Sequence, residues 1–254
     1  MSPALTEWIF TIGAGERLAG VAQFSNYPPA ARQKPVVGGY INPSFEQMLL
    51  LKPDLIVTQG HSEKVTGFCR QRGIPLLALE ISDLAHTHQA VRQLGTALGL
   101  KAEAERVLRG ITDGFSAVRL AAAGKPRKKV FFCIGRNPGS LNGLYTIGAN
   151  AAYLSELIRM AGGEDIFADV EQGYPQISKE ALLTRAPEVI IEPRPGENLT
   201  PENMAALKRE WQPLSGIPAV QSGQMYFPTE DYLMIPGPRL ALAAKKLVEL
   251  IQQN

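Results

Sequence analysis

Two cysteines and three histidines in 254 residues leave little material for a metal centre or a disulfide framework. Cys69 lies in a helix-like stretch and Cys133 in the run VFFCIG, one in each half of the chain, so two buried free thiols are expected instead of a bridge. An excess of charge of one sign is also lacking. Lys+Arg number 26 against 24 Asp+Glu, and a net charge of +2 does not direct the chain to nucleic acid. The basic cluster KPRKK at 125–129 directly precedes an apolar run and reads as the solvated approach to a strand. No run approaches the ~18 continuous apolar residues of a membrane-spanning helix. The opening MSPALTEWIF has no basic segment ahead of an apolar one, so no secretory leader is read there.

The common catalytic signatures are missing as well. There is no Walker loop and no GxSxG elbow, and the glycines of TIGAGERLAG follow a helix instead of opening one. His86 and His88, near Asp83, are two apart at a helix start, so their rings point to different faces and no metal site is expected. Arg136 and Arg194 stand alone and read equally as surface residues or anion ligands. With no clustered acid, base or nucleophile, neither an enzyme nor a resident cofactor is expected.

What the chain does have is a duplication. Residues 39–57, GYINPSFEQMLLLKPDLIV, align without a gap on residues 173–191, GYPQISKEALLTRAPEVII, 134 positions later. The copies share Gly39/Gly173, Tyr40/Tyr174, Ser44/Ser178, Glu46/Glu180, Leu49/Leu183, Pro53/Pro187 and Ile56/Ile190. Each reads as a loop with an aromatic, a helix of about two turns, a proline stop and a buried strand. Two such units in matching positions predict two lobes of similar build with a cleft.

Short apolar runs alternate with amphipathic ones, which predicts an α/β fold with mainly parallel sheets covered on both faces. Residues 1–81 form the expected first lobe, residues 82–124 a helical connector and residues 125–254 the second lobe. In the connector, Ala104, Val107, Leu108, Ile111, Phe115, Val118 and Leu120 recur at helical spacing after a break at Gly99. That predicts a stiff helix of about 23 residues, roughly 35 Å long. Ligands of open parallel sheets bind beyond the carboxyl ends of strands. The candidates are therefore the loops at Phe24–Tyr27, Tyr40, Gln59-Gly60, 136–145, Tyr174 and Asp231–Met234. Their aromatic and large apolar side chains suit a large, flat, partly apolar molecule. A tyrosine can also simply pack at a loop base, but repeat-equivalent positions favour a lining role for Tyr40 and Tyr174. Glu46 and Glu180 fall early in their helices, two residues after the capping candidates Ser44 and Ser178. They serve the helix dipole, or they are two acidic knobs that meet arginines on a two-fold symmetric partner.

The stretches SNYPPAARQ, SFEQMLLLKPDLIV, ELIRMAGGEDIFAD, YPQISKEALL and PGPRLALAAKKL resemble the iron-siderophore/cobalamin class of ABC-importer solute-binding proteins across essentially the whole chain. The resemblance implies two Rossmann-like lobes joined by one long rigid helix, the class III periplasmic-binding-protein fold. It implies a monomer, located in the periplasm or at the cell surface, that carries a corrinoid (cobalamin or cobinamide) to a permease dimer with ATPase subunits. Membrane contact would run only through that permease. Phe24, Tyr40, Tyr174, Asp231, Tyr232, Leu233, Met234 and Ile235 match ligand-contacting positions of the cobalamin-binding members. Glu46 and Glu180 match their permease-docking glutamates. The alternatives on the same scaffold are a ferric-siderophore or haem binder, and a non-exported sensor or interaction protein.

There are two departures. The class begins with a leader and a strand just ahead of SPALTE, and Met1 stands in their place. A shortened reading frame is the simpler explanation; with Met1 as the native start, the first lobe would lack a central strand. The cysteines also do not fall where cobalamin-binding members place a disulfide, Ala161 standing at one of those positions.

Overall fold

The computed structural model describes residues 1–39 and 41–253. Two compact units emerge, one of residues 1–112 and 235–239, the other of residues 113–234 and 240–254. Their boundary, between residues 112 and 113, falls inside a continuous 22-residue helix.

The first unit opens with α1 (Pro3–Thr11), whose N-terminus follows the sequence signals: the Ser2 hydroxyl accepts from Leu5 N–H and Pro3 takes the first helical position. The extended segments around Val21 and Val36 make an isolated parallel bridge. Between them lies a 3-10 helix, Pro29–Gln33. The first repeat copy gives α2 (Phe45–Leu50), capped by Ser44, and β1 (Ile56–Gln59). Next come α3 (Glu63–Arg72) and β2 (Leu76–Leu79). The stop at Gly73 is physical: its φ of 65° is left-handed, which glycine adopts without a Cβ clash. β1 and β2 form a two-stranded parallel sheet in register Ile56 to Leu76. Met48, Ile56, Val65 and Cys69 pack below it, with Phe45 stacked on Phe68 at 4.5 Å.

Along β1 there is also a cavity of about 620 Å³. Leu55, Ile56 and Val57 line it with Val21, Ala22 and Val37, and the Met1 nitrogen donates to the Val57 carbonyl.

Then follow α4 (Leu84–Ala97), capped by Asp83, and α5 (Lys101–Ala122). At 1.5 Å per residue α5 is roughly 33 Å long. Ala104, Leu108, Ile111, Phe115 and Val118 of its predicted stripe are buried, but Leu120 is exposed. One stripe position too many was read: Leu120 lies only two positions after Val118, on another face of the helix, and the stripe continues instead at buried Ala122.

The second unit is organised by β3 (Lys128–Gly135), whose Val130, Phe131, Phe132 and Cys133 are fully buried. In chain order come β4 (Leu144–Thr146), α6 (Ala152–Met160), β5 (Gly163–Asp165), β6 (Gln176–Ile177), α7 (Lys179–Arg185) and β7 (Val189–Ile191). They are followed by α8 (Pro201–Glu210), α9 (Pro218–Ser222), β8 (Met225–Tyr226) and α10 (Leu240–Ile251). The sheet runs β6-β4-β3-β7-β8, with β5 also on β3. Pairings of β3 with β5 and β7, and of β7 with β8, are parallel, whereas β4 pairs antiparallel with β3 and β6. The mainly parallel α/β class therefore holds, and β4 emerges from a segment read as loop. The core packs Phe131 edge-on against Phe167 and Trp211.

Both cysteines are buried and free. Burial pushes the Cys133 thiol up to about 12, with Glu192 adding to the shift. In the native state Cys133 should therefore resist an aromatic disulfide reagent at pH 8 and react only on unfolding; rapid native labelling would contradict this packing.

Candidate functional site

In the second unit the parallel strands β3, β7 and β8 end on one rim, and a buried carboxylate organises it. Glu192 follows β7 directly and is buried. Its Oε1 meets Arg136 Nε at 2.9 Å and Arg194 Nη2 at 2.7 Å, and Trp211 Nε1 donates to its Oε2 at 3.0 Å. Arg136 also reaches Glu210 at 2.6 Å, donates to the Ser140 carbonyl at 2.8 Å and lies 5.8 Å from the Trp211 ring. Arg194 reaches Glu197 at 3.6 Å. The Arg136 side chain is buried and that of Arg194 half-buried, and the charge of both is matched by these carboxylates, although Arg136 Nη2 and Arg194 Nε are left without a hydrogen-bond partner among the described residues. Three carboxylates (Glu192, Glu197, Glu210) face two guanidiniums there. The network ties the loop after β3 to the end of β7 and to α8.

Tyr174 precedes β6 and leaves 56% of its surface exposed. Desolvation raises the pKa of its hydroxyl. Its segment is pinned from below: Gly148 N donates to the Gly173 carbonyl at 3.0 Å and Thr146 N to the Pro175 carbonyl at 3.1 Å. A Cβ on Gly148 would run into the Gln172 and Val170 carbonyls. The Asp231–Met234 segment is a 3-10 turn after β8. Asp231, Tyr232 and Met234 are half-buried, whereas Leu233 is fully buried and its side chain belongs to the core.

In the first unit Phe24 is 72% exposed at a φ of 66°, an unusual conformation for a bulky side chain. Tyr40 lies outside the described residues. Ile235 is half-buried where the chain returns to this unit. Sequence reasoning missed the support behind this loop. Arg239 pairs with buried Glu7 at 2.5 and 3.0 Å, and its guanidinium lies 4.1 Å from the Tyr27 ring centroid. Neither charge carried a local signal, since the partners stand 232 positions apart. The Phe24–Tyr27 loop therefore rests on a fixed cation.

Glu46 and Glu180 are both exposed on the first turns of α2 and α7. Ser44 and Ser178 cap the helices by accepting from Gln47 N–H and Ala181 N–H. Backbone and Ser178 hydrogen bonds hold the Glu180 carboxyl below its ordinary range. His86 is bound to the Asp83 cap at 2.6 Å. Among the described residues no group of three or more His, Cys, Asp or Glu could hold a metal ion.

The family model for periplasmic binding proteins matches residues 1–232. The chain belongs to the periplasmic binding protein family. It is 30% identical over 256 aligned residues to the vitamin B12-binding protein of Salmonella paratyphi A, covering all of this chain and 89% of that one. The solved periplasmic vitamin B12-binding protein of Vibrio cholerae superposes with a TM-score of 0.81 at 25% identity, over 99% of this chain and 94% of that chain. A periplasmic haem-binding protein from Roseiflexus sp. RS-1 superposes equally well, at 0.81, with 23% identity over 98% of this chain and 95% of that chain. At that identity the likeness speaks for the fold alone.

Two substitutions test the supports of this family member. Arg136→Ala leaves the buried Glu192 short of a cation and should cost about 3–5 kcal/mol in urea unfolding; a loss below about 1 kcal/mol would contradict the network. Gly148→Ala should cost about 1–3 kcal/mol and raise the mobility of the 172–175 segment in hydrogen exchange.

Proposed function

We propose that this protein is the solute-binding component of an ABC importer and that its cargo is a corrinoid, cobalamin or cobinamide. The observation that carries the reading is full-length similarity to vitamin B12-binding proteins, together with exposed aromatic faces at Phe24 and Tyr174 on braced loops. A corrin ring is broad and flat, and rings already held in place lose little freedom on binding it. Phe24, Tyr40 and Tyr174 are the proposed aromatic contacts. Asp231, Tyr232, Met234 and Ile235 are the proposed flanking contacts, with Leu233 supporting from beneath. The corrinoid is cargo and not a resident cofactor, and no reaction is performed on it. The protein works as a monomer in the periplasm or at the cell surface. Glu46 and Glu180 dock it to a permease dimer that carries the ATPase subunits.

The rival ligands fit less well. A catecholate siderophore is strongly anionic and needs uncompensated cations, whereas Arg136 and Arg194 are already neutralised by Glu192, Glu197 and Glu210. A haem binder differs from a corrinoid binder in needing a tyrosine or histidine on iron.

A thermal-melt screen of the intact protein with cobalamin, cobinamide, haem and a ferric siderophore tests the reading. The corrinoids should raise Tm by several degrees, and Glu46→Ala and Glu180→Ala should leave that shift intact while impairing uptake. A shift with haem or the siderophore and none with a corrinoid would overturn the ligand assignment. Loss of the corrinoid shift in the glutamate variants would overturn the division of roles.

A further inference from the structure

The two repeat-related helices share more than a cap and a carboxylate. Each buries one residue two positions after its glutamate, Met48 on α2 and Leu182 on α7. The two helices are therefore rolled alike against their own units, and both glutamates face solvent. Residues three and four positions on share that solvent face, and there each helix carries an exposed leucine. Leu50, four after Glu46, is 68% exposed, and Leu183, three after Glu180, is 42% exposed. A single exposed leucine is ordinary. Leu50 and Leu183 are not equivalent in the repeat, since Leu50 aligns with Thr184 and Leu183 with Leu49, yet both copies set an exposed leucine about one turn from the carboxylate, which neither capping nor the dipole accounts for. Among the described residues neither carboxylate forms an ion pair.

We propose that Leu50 and Leu183 are the apolar anchors of two docking patches, each a leucine beside an acidic group. The partner that fits is a membrane permease subunit presenting a cationic side chain next to a shallow apolar recess. This rests on the solute-binding reading above and adds the groups that hold the complex once charge has brought it together. The carboxylates steer encounter through charge complementarity, and the leucines lose water only on contact. The two contributions therefore separate kinetically. Glutamate changes act on association and on its salt dependence, and leucine changes act on dissociation.

The test is surface plasmon resonance of the intact protein against its cognate permease–ATPase complex in lipid nanodiscs, at several salt concentrations. Leu50→Gln with Leu183→Gln should weaken binding about tenfold through faster dissociation, with the salt dependence unchanged. Leu50→Met with Leu183→Met should restore it. Glu46→Gln with Glu180→Gln should slow association and flatten the salt dependence. The corrinoid-induced melting shift should persist in every variant, which also reports an intact fold. Leucine variants that bind like the unaltered protein, beside weakened glutamate variants, would overturn the anchors and leave the docking reading standing. If both sets bind like the unaltered protein, docking through α2 and α7 fails with them. Loss of the corrinoid shift in the leucine variants would place these side chains at the ligand and equally overturn the proposal.

Discussion

A buried carboxylate must be met by cations and donors or it destabilises the fold, and Glu192 is met three times. Two guanidiniums and one indole N–H converge on it from the loop after β3, from the residues after β7 and from the end of α8. These elements are far apart in sequence, and satisfying one side chain fixes all of them. The aromatic core beneath, with Phe131 against Phe167 and Trp211, could tolerate small shifts; the ion network could not, because its alternative state strands a charge in a dry interior.

The first unit uses the same device at a different place in the chain. Glu7 on α1 is buried and is answered by Arg239, which in turn lies over Tyr27. In both units a hidden carboxylate aims a guanidinium, and the guanidinium braces an aromatic ring: Tyr27 at 4.1 Å in one, Trp211 at 5.8 Å in the other. Neither arrangement leaves a free cation for an anionic ligand. The outer aromatics Phe24 and Tyr174 are exposed, the first on a loop held by the Arg239–Tyr27 contact and the second on a segment held by backbone bonds from Gly148 and Thr146.

Much of this was legible in the sequence because it is written locally. Ser44 and Ser178 cap the helices they were read to precede, and the break read at Gly99 ends its helix with a left-handed backbone. The duplication gave both copies of the helix–strand unit, and the apolar period gave the long helix. The antiparallel β4 and β6 were not legible, because runs of two or three residues carry no period. The segments around Val21 and Val36 are extended, but how far they pair depends on a neighbour that local pattern does not reveal. At the site, aromatic loop positions could be picked out. Leu233 could not be separated from its neighbours, because a 3-10 turn hides one residue in three or four by geometry alone. Arg136, Arg194 and Arg239 were opaque for a simpler reason: their partners are distant in sequence, and only folding brings them together.

The central claim is that open aromatic faces on braced loops hold a corrinoid. Isothermal titration of cobalamin into the intact protein, and into Phe24→Ala and Tyr174→Ala, tests it most directly. The account predicts one cobalamin per chain and a loss of affinity of about tenfold or more for each variant. Unchanged affinity in both variants, or no binding of cobalamin by the unaltered protein, would contradict it.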